Sequence, residues 1–289
     1  MFVHGNNLEQ KENHKTKYRD EKSRTYLAEI RERYNKWKSD NEELIGPTKT
    51  LVPNDDDTIT KRVQLLNDYK EFLDQQHYAE KFDSRSNLHS SVLEEFLYYL
   101  FRDIVKSISE HALIGKSHSF KDIFFRSPNY EEMVSKPNAL IEIKDHDFSI
   151  GCSISAEMLC AGSNEPEMHN WDIPAVAIEC KTYLDKTMLQ DVSTAAEQLK
   201  QKNPNALYMV VAEWLKLTES VNLKKYKIDQ IYVLRKQKNT DREFRYNDGY
   251  VKNPIYDDVV IHLYNEVRDY LTADWEGGIA HGLSRGYLI

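Results

Sequence analysis

With 289 residues, 40% hydrophobic content, 18 Tyr and 10 Phe, the chain can bury a substantial core in one large domain, or one domain with an appendage, and is not a disordered protein. Three cysteines (Cys152, Cys160, Cys180) without a Cys-x-x-Cys pair or clustered histidines argue against a zinc site. The opening residues lack a signal-peptide pattern and the longest apolar runs are far too short to span a membrane, so a cytoplasmic protein with no membrane partner is expected.

The formal net charge of −8 is unevenly spread. Residues 1–38 carry ten basic and six acidic side chains, and residues 224–245 carry eight basic and three acidic. Two basic zones therefore sit on an acidic body. Within the first zone, Tyr26, Leu27, Ile30, Tyr34 and Trp37 fall at helical spacing and predict a helix over 24–38 with an aromatic stripe. The stretch from Gly46-Pro47 to Asp57 reads as a loop or linker, which sets an expected division into a helical, basic extension, 1–57, and a main domain, 58–289.

A second helix is expected from about 58 to 76, burying Val63, Leu66, Tyr69 and Leu73. A third, 87–105, gathers Val92, Leu93, Phe96, Leu97, Leu100 and Ile104 on one face. At 100° per residue, Glu94 lies at the edge of that face and Glu95 nearly opposite it. Segment 115–129 mixes aromatics with Lys116, Lys121 and Arg126, and reads first as a surface loop with an aromatic anchor.

Two strands follow. Asp147 opens the alternating run Asp147-Phe148-Ser149-Ile150-Gly151-Cys152-Ser153-Ile154, and the apolar run Ala175-Val176-Ala177-Ile178 ends in Glu179-Cys180-Lys181. Period-two alternation puts Glu179 and Lys181 on one side of their strand and Cys180 on the other, toward the core. Asp185 can cap a helix whose Met188, Leu189, Val192, Ala195, Ala196 and Leu199 keep helical spacing until Asn203-Pro204-Asn205. A buried strand, 206–212, completes a strand–helix–strand crossover, so its two strands are expected to be parallel. Another strand, 228–234, leads into Arg235, Lys236, Lys238, Arg242 and Arg245 and a hairpin turn at Asn247-Asp248-Gly249. A helix over 256–271 and a tail without periodicity, holding Trp275, Gly277, Gly278 and Gly286, close the chain.

Asp147, Glu179 and Lys181 can converge on one divalent metal ion and one phosphate. Oxygen ligands suit Mg²⁺, which keeps several waters and takes one or two protein carboxylates beside a substrate phosphate, and a nearby lysine positions the water. Phosphodiester hydrolysis is the natural reaction. Glu-x-Lys alone is a weak signal: it also occurs at Glu9 to Lys11, in a polar segment expected to be mobile, and at Glu142 to Lys144, where the chain is expected to turn. An isolated pair of this type is more often a solvated edge pair. Only Glu179 and Lys181 have an acid-led strand before them and a helix after them. Asp145 and Glu157 compete with Asp147 for the first acidic position, and Asp147 is favoured because it directly begins the strand.

This arrangement resembles the PD-(D/E)xK superfamily of metal-dependent nucleases. More narrowly, the runs Leu93 to Phe101, Lys144 to Gly151 and Glu179 to Leu189 resemble type II restriction endonuclease subunits of the BbvCI kind. The motif's eponymous proline is absent, and His146 precedes Asp147 in its place. The resemblance implies an α/β fold: a restriction-endonuclease-like core with a mixed central sheet flanked by helices and a helical N-terminal extension. It implies Asp147, Glu179 and Glu94 as metal ligands, Lys181 beside the attacking water, and Mg²⁺ as cofactor, with Mn²⁺ as a substitute. It further implies double-stranded DNA as substrate, cut in one strand at a short asymmetric site, with a related second subunit (or a second copy) for the other strand and a cognate methyltransferase as functional partner. Lys116, Lys121, Arg126, Arg235, Lys236, Lys238, Arg242 and Arg245 become candidates for contacting DNA, and segment 115–129 gains a second reading as part of that surface. A homodimeric or repair nuclease on the same core, or a non-catalytic DNA-binding protein, are the alternatives.

Overall fold

The computed structural model describes residues 2–82, 87–238, 249–275 and 279–286. Five helices come first: α1 (Val3–Glu12), α2 (Glu21–Glu43), α3 (Asp55–Leu73), α4 (Gln76–Lys81) and α5 (Asn87–Ile108). Then follow β1 (Leu113–Phe125), α6 (Tyr130–Ser135), β2 (Ala139–Met158), β3 (Glu167–Leu184), α7 (Lys186–Lys202), β4 (Leu207–Leu215), a 3₁₀ turn (Leu223–Lys225), β5 (Gln230–Val233), α8 (Asp257–Thr272) and α9 (Ile279–Arg285).

The strands form one sheet in the order β1-β2-β3-β4-β5. β1 and β2, and β2 and β3, are antiparallel, whereas β3, β4 and β5 are parallel. The crossover expected from the sequence is thus present: Asp185 caps α7 by accepting from the Met188 N–H at 2.8 Å, and the chain returns as β4 alongside β3.

Strand alternation sorts the side chains into two cores. Phe148, Ile150, Val176, Ile178, Cys180, Met209 and Val211 face the helices α1, α2, α3, α5 and α8 and join one continuous apolar cluster with them. Ala177, Tyr208, Val210 and Ala212 face the other way, against Leu189, Val192, Ala196 and Leu199 of α7. A mixed sheet covered by helices on both faces is the α/β architecture expected. Residue 57 falls within α3, and α2 and α3 contribute Leu27, Ile30, Ile59 and Leu66 to the same cluster as the sheet.

Several expectations are corrected. Segment 113–125 is a strand, with Gly115, Ser117 and Ser119 buried along one side and Lys116 and His118 exposed between them. Small polar residues carry its inner face, so hydropathy reads it as a loop. β2 does not turn at Lys144; residues 139–146 continue as one strand, paired with β1. Residues 3–12 form α1, anchored where the buried Glu95 carboxylate accepts the N–H groups of His4 at 2.9 Å and Gly5 at 3.1 Å, and the Tyr34 and Tyr99 hydroxyls at 2.9 Å each. A Cβ on Gly5 would meet the Tyr34 hydroxyl at 2.2 Å, so glycine permits this approach. Glu95 does point away from the sheet, as the helical wheel requires, but α1 and α2 cover it. The tail contributes the short helix α9. The hairpin expected around Arg242, Arg245 and Asn247-Asp248 lies outside the described residues.

Candidate active site

The site forms where β2 and β3 part. Their antiparallel pairing runs from Met158 opposite Glu167 to Phe148 opposite Ile178 and ends there. Gly151 lets the strands cross closely at the register shift along this ladder, since a Cβ there would stand 2.1 Å from the Ile173 carbonyl oxygen. Beyond Ile178, β3 pairs only with β4, Glu179 opposite Val210 and Lys181 opposite Ala212. Backbone N–H groups on the vacated edge need a partner, and the Asp147 carboxylate supplies one by accepting from the Cys180 N–H at 2.9 Å.

This brings Asp147, Glu179 and Lys181 together. The Lys181 ammonium donates to Asp147 Oδ2 at 2.8 Å and to Glu179 Oε2 at 2.9 Å. The second Glu179 oxygen, Oε1, accepts from the Tyr208 hydroxyl at 3.2 Å and lies 3.3 Å from His146 Nδ1. A cleft of about 380 Å³ opens over the group, lined by Glu94, Lys116, Asp147 and Lys181 together with Asn7 of α1 and Ser90 of α5. Asp145 is elsewhere: its side chain is 56% exposed and paired with His118 at 2.6 Å. Glu157 lies near the far end of β2, opposite Met168.

Burial and charge act on the group in opposition. Burial raises the Asp147 carboxyl above the usual range, Glu179 pushing the same way and Lys181 opposing. Burial would also raise Glu179, but the hydrogen bond to His146 and the Lys181 ammonium outweigh it and hold that carboxyl well below the usual range. Lys181 responds in kind: burial lowers it, Glu179 and Asp147 prevail, and its ammonium is held charged. Glu94 is pushed up to about 7, first by burial and then by the negative charge of Asp147, with Lys116 and Lys181 only partly compensating. Ionising Glu94 beside Asp147 and Glu179 would set three carboxylates against the two ammonium groups of Lys181 and Lys116.

The basic candidates are distributed differently from the expectation. Lys116 lines the cleft. Lys121 pairs with Glu142 across β1 and β2, Lys236 with Asp258, and Lys238 with Glu219, all at the surface. Arg126 lies just past the end of β1, where its N–H donates to the Asn138 carbonyl. Arg235 needs correction: it is 1% exposed, its guanidinium bound to Glu213 at 2.9 Å and stacked over Trp214, so it is an interior ion pair and offers no surface to DNA. Arg242 and Arg245 lie outside the described residues.

The model of the Bpu10I restriction endonuclease family matches residues 85–288 of this chain. The chain belongs to that family. It is a type II site-specific deoxyribonuclease. The matched span begins just before α5 and includes Glu94, Asp147, Glu179 and Lys181. A solved structure described as the native BbvCI A2B2 tetramer at low resolution is similar in fold, with a TM-score of 0.68 and 20% identity over 94% of this chain and 97% of that chain. No curated protein matches. Among the described residues no helix is long and apolar enough to cross a membrane, and the three cysteines are free thiols.

The donor set of this endonuclease suits a divalent cation of the Mg²⁺ type: Asp147, Glu94 and the adjoining Glu179 offer carboxylates, hard oxygen ligands, and a dication would offset the Asp147 charge that adds to burial in raising the Glu94 carboxyl to about 7. Among the described residues no three His, Cys, Asp or Glu side chains are drawn together tightly enough to enclose an ion, because Lys181 stands between Asp147 and Glu179.

Sequence reasoning missed His146 and Tyr208 as partners of Glu179, and Asn7 and Ser90 as cleft residues. Tyr208 had a readable signal. It lies opposite Ala177 on the parallel strand, two residues before the position facing Glu179, and therefore on the same side of the sheet. Asn7 had none, because α1 is placed by tertiary contacts.

Proposed function

We propose that the chain is the subunit of a two-subunit restriction endonuclease that hydrolyses one strand of double-stranded DNA at a short asymmetric site, in the cytoplasm, using Mg²⁺ or, in its place, Mn²⁺. Asp147, Glu179 and Glu94 hold the metal ion. Bound there, the ion supplies Lewis acidity and lowers the pKa of a coordinated water. Lys181 orients the attacking water and places an ammonium charge beside the phosphoryl oxygens as negative charge builds on them. Lys116, on the cleft wall, faces the phosphate backbone, with Lys121, Arg126, Lys236, Lys238, Arg242 and Arg245 as further contacts.

The observation that carries this reading is the Lys181 ammonium bridging Asp147 and Glu179 at the point where two strands separate. One such site breaks one strand, so cutting both strands takes a second site on another chain. The A2B2 composition of the BbvCI structure favours a related, non-identical subunit over a second copy. A restriction role also requires a methyltransferase that protects the host's own sites. The test is cleavage of supercoiled plasmid in Mg²⁺ by the paired enzyme. Wild type gives linear DNA, whereas Lys181→Ala in this subunit gives nicked circles. Linear DNA from both would remove Lys181 from the chemistry.

A further inference from the structure

Neighbouring residues on a strand normally point to opposite faces of the sheet, so His146 and Asp147 are not expected to serve the same group. Here they do. Along the β1–β2 ladder, Gly115 is opposite Ser149 while Ser117 is opposite His146, so Asp147 and Phe148 together oppose the single residue Lys116. That is a β-bulge, a device that re-aims side chains beside functional sites. Phe148 takes the helix-covered core, and His146 and Asp147 are both left facing Glu179: Asp147 through Lys181 to Oε2, His146 directly to Oε1.

We infer that His146, with Tyr208, is a positioning residue that fixes the rotation of the Glu179 carboxylate for the metal ion this residue would hold, engaging Oε1 while Oε2 faces Lys181. Both rings are buried, His146 at 1% and Tyr208 at 0% exposure, and they pack edge to face with centroids 5.5 Å apart. Because an ionised carboxylate only accepts, Nδ1 carries the proton and donates to it. The opposite nitrogen, Nε2, is buried with no hydrogen-bond partner. The ring's polar contact with Glu179 is therefore made through Nδ1, and losing it would leave the Glu179 oxygen with one partner fewer. Groups of this kind that orient a metal ligand commonly tune metal affinity. The position is also the one where the resembled motif carries proline, which has no side-chain donor.

This inference rests on Glu179 being a metal ligand, and the experiment separates the two. Mn²⁺ binding is measured by the paramagnetic resonance of free Mn²⁺ for wild type, His146→Ala, His146→Asn, Tyr208→Phe and Glu179→Gln, alongside thermal unfolding. His146→Ala is expected to weaken Mn²⁺ binding by about 10- to 100-fold. His146→Asn, which keeps an N–H donor, recovers most of that loss, and Tyr208→Phe loses less than His146→Ala. The Mg²⁺ concentration for half-maximal nicking moves in the same order, while KM for DNA at saturating Mg²⁺ stays near wild type. Wild-type binding by His146→Ala, or equal weakening in His146→Ala and His146→Asn, would overturn the positioning role. Should His146→Ala fail to fold, His146→Asn and Tyr208→Phe decide the question, and wild-type-like binding by Tyr208→Phe together with a weakened His146→Asn would count against the clamp. Unchanged binding in Glu179→Gln would overturn the underlying metal assignment and this inference with it.

Discussion

Two clusters in this molecule oppose carboxylates to cations, and they are built on different terms. In the interior, Glu213 forms an ion pair with Lys70 at 2.9 Å and accepts from Arg235 at 3.1 and 2.9 Å, and Asp74 lies 3.1 Å from Lys70 and 3.5 Å from His89. Two acids meet two fixed cations, with Lys252 at 3.9 Å from Asp74. Burial would raise Asp74, but Lys70 and His89 hold it far below the usual range. At the cleft, Asp147 and Glu179 share Lys181, Glu94 and Lys116 line the wall, and the Glu94 carboxyl is pushed up to about 7. A structural cluster settles its own charge; in the cleft, ionising Glu94 sets three carboxylates against two lysines, and that excess is left for something outside the chain to settle.

The largest expected effect breaks the closed cluster. Glu213→Ala strands Lys70 and Arg235 inside the protein and should cost about 3–5 kcal/mol of stability, read from the denaturant midpoint followed by circular dichroism. A loss below about 1 kcal/mol would mean that the interior cluster is not the self-contained unit described here. Glu179→Ala is the matching experiment in the open site. It should lower the nicking rate by at least about 10²–10³-fold, the scale of losing one electrostatic group at a reacting centre, while costing no more than about 2 kcal/mol of stability. A variant that cuts normally but unfolds readily would reverse the comparison.

How far the sequence discloses each cluster follows from the range of the interactions. Glu179 and Lys181 are legible because period two and the capped helix after them are local facts, and the parallel return of β4 follows from the crossover. Asp147 is legible as the head of an alternating run. Arg235 is not: it sits in a basic stretch that reads as surface, and its partners are Glu213 on β4 and Asp74, just past the end of α3. α1 is illegible for the same reason, since its anchor is Glu95, about ninety residues away. β1 is hidden for a different reason, because Gly115, Ser117 and Ser119 form its buried side and only packing reveals that small polar residues face inward there.

A smaller effect sharpens the contrast through pH. The Glu94 carboxyl is raised from 4.5 to about 7 in the folded protein, so the folded state keeps a proton that the unfolded state has lost between those values. Stability is therefore lost as pH rises through that window, by at most about 3 kcal/mol once above it. Glu94→Gln should stabilise the metal-free protein at pH 8 and leave it nearly unchanged at pH 4, measured by thermal unfolding at both values. In wild type, Mg²⁺ affinity should strengthen as pH rises toward 8, since ionised Glu94 is the form that binds a cation, and this dependence should flatten in the variant. Equal stabilisation at both pH values would mean that the gain comes from packing and not from a proton.

The smallest expected effect tests whether the strand, and not acidity alone, selects the residue. Asp145 is two positions from Asp147 and equally acidic in sequence, but its carboxylate stands in solvent beside His118, with side chains 56% and 60% exposed. Exposed pairs of this type contribute little, so Asp145→Asn should shift stability by no more than about 0.5 kcal/mol and leave nicking at the wild-type rate. Asp147→Asn, in the same plasmid assay, should lose cleavage of its strand, because that carboxylate both receives the Cys180 N–H and holds Lys181. A loss of tenfold or more from Asp145→Asn would move the centre to the outer side of β2, where β1 pairs with it, and would detach the chemistry from the point at which β2 and β3 separate.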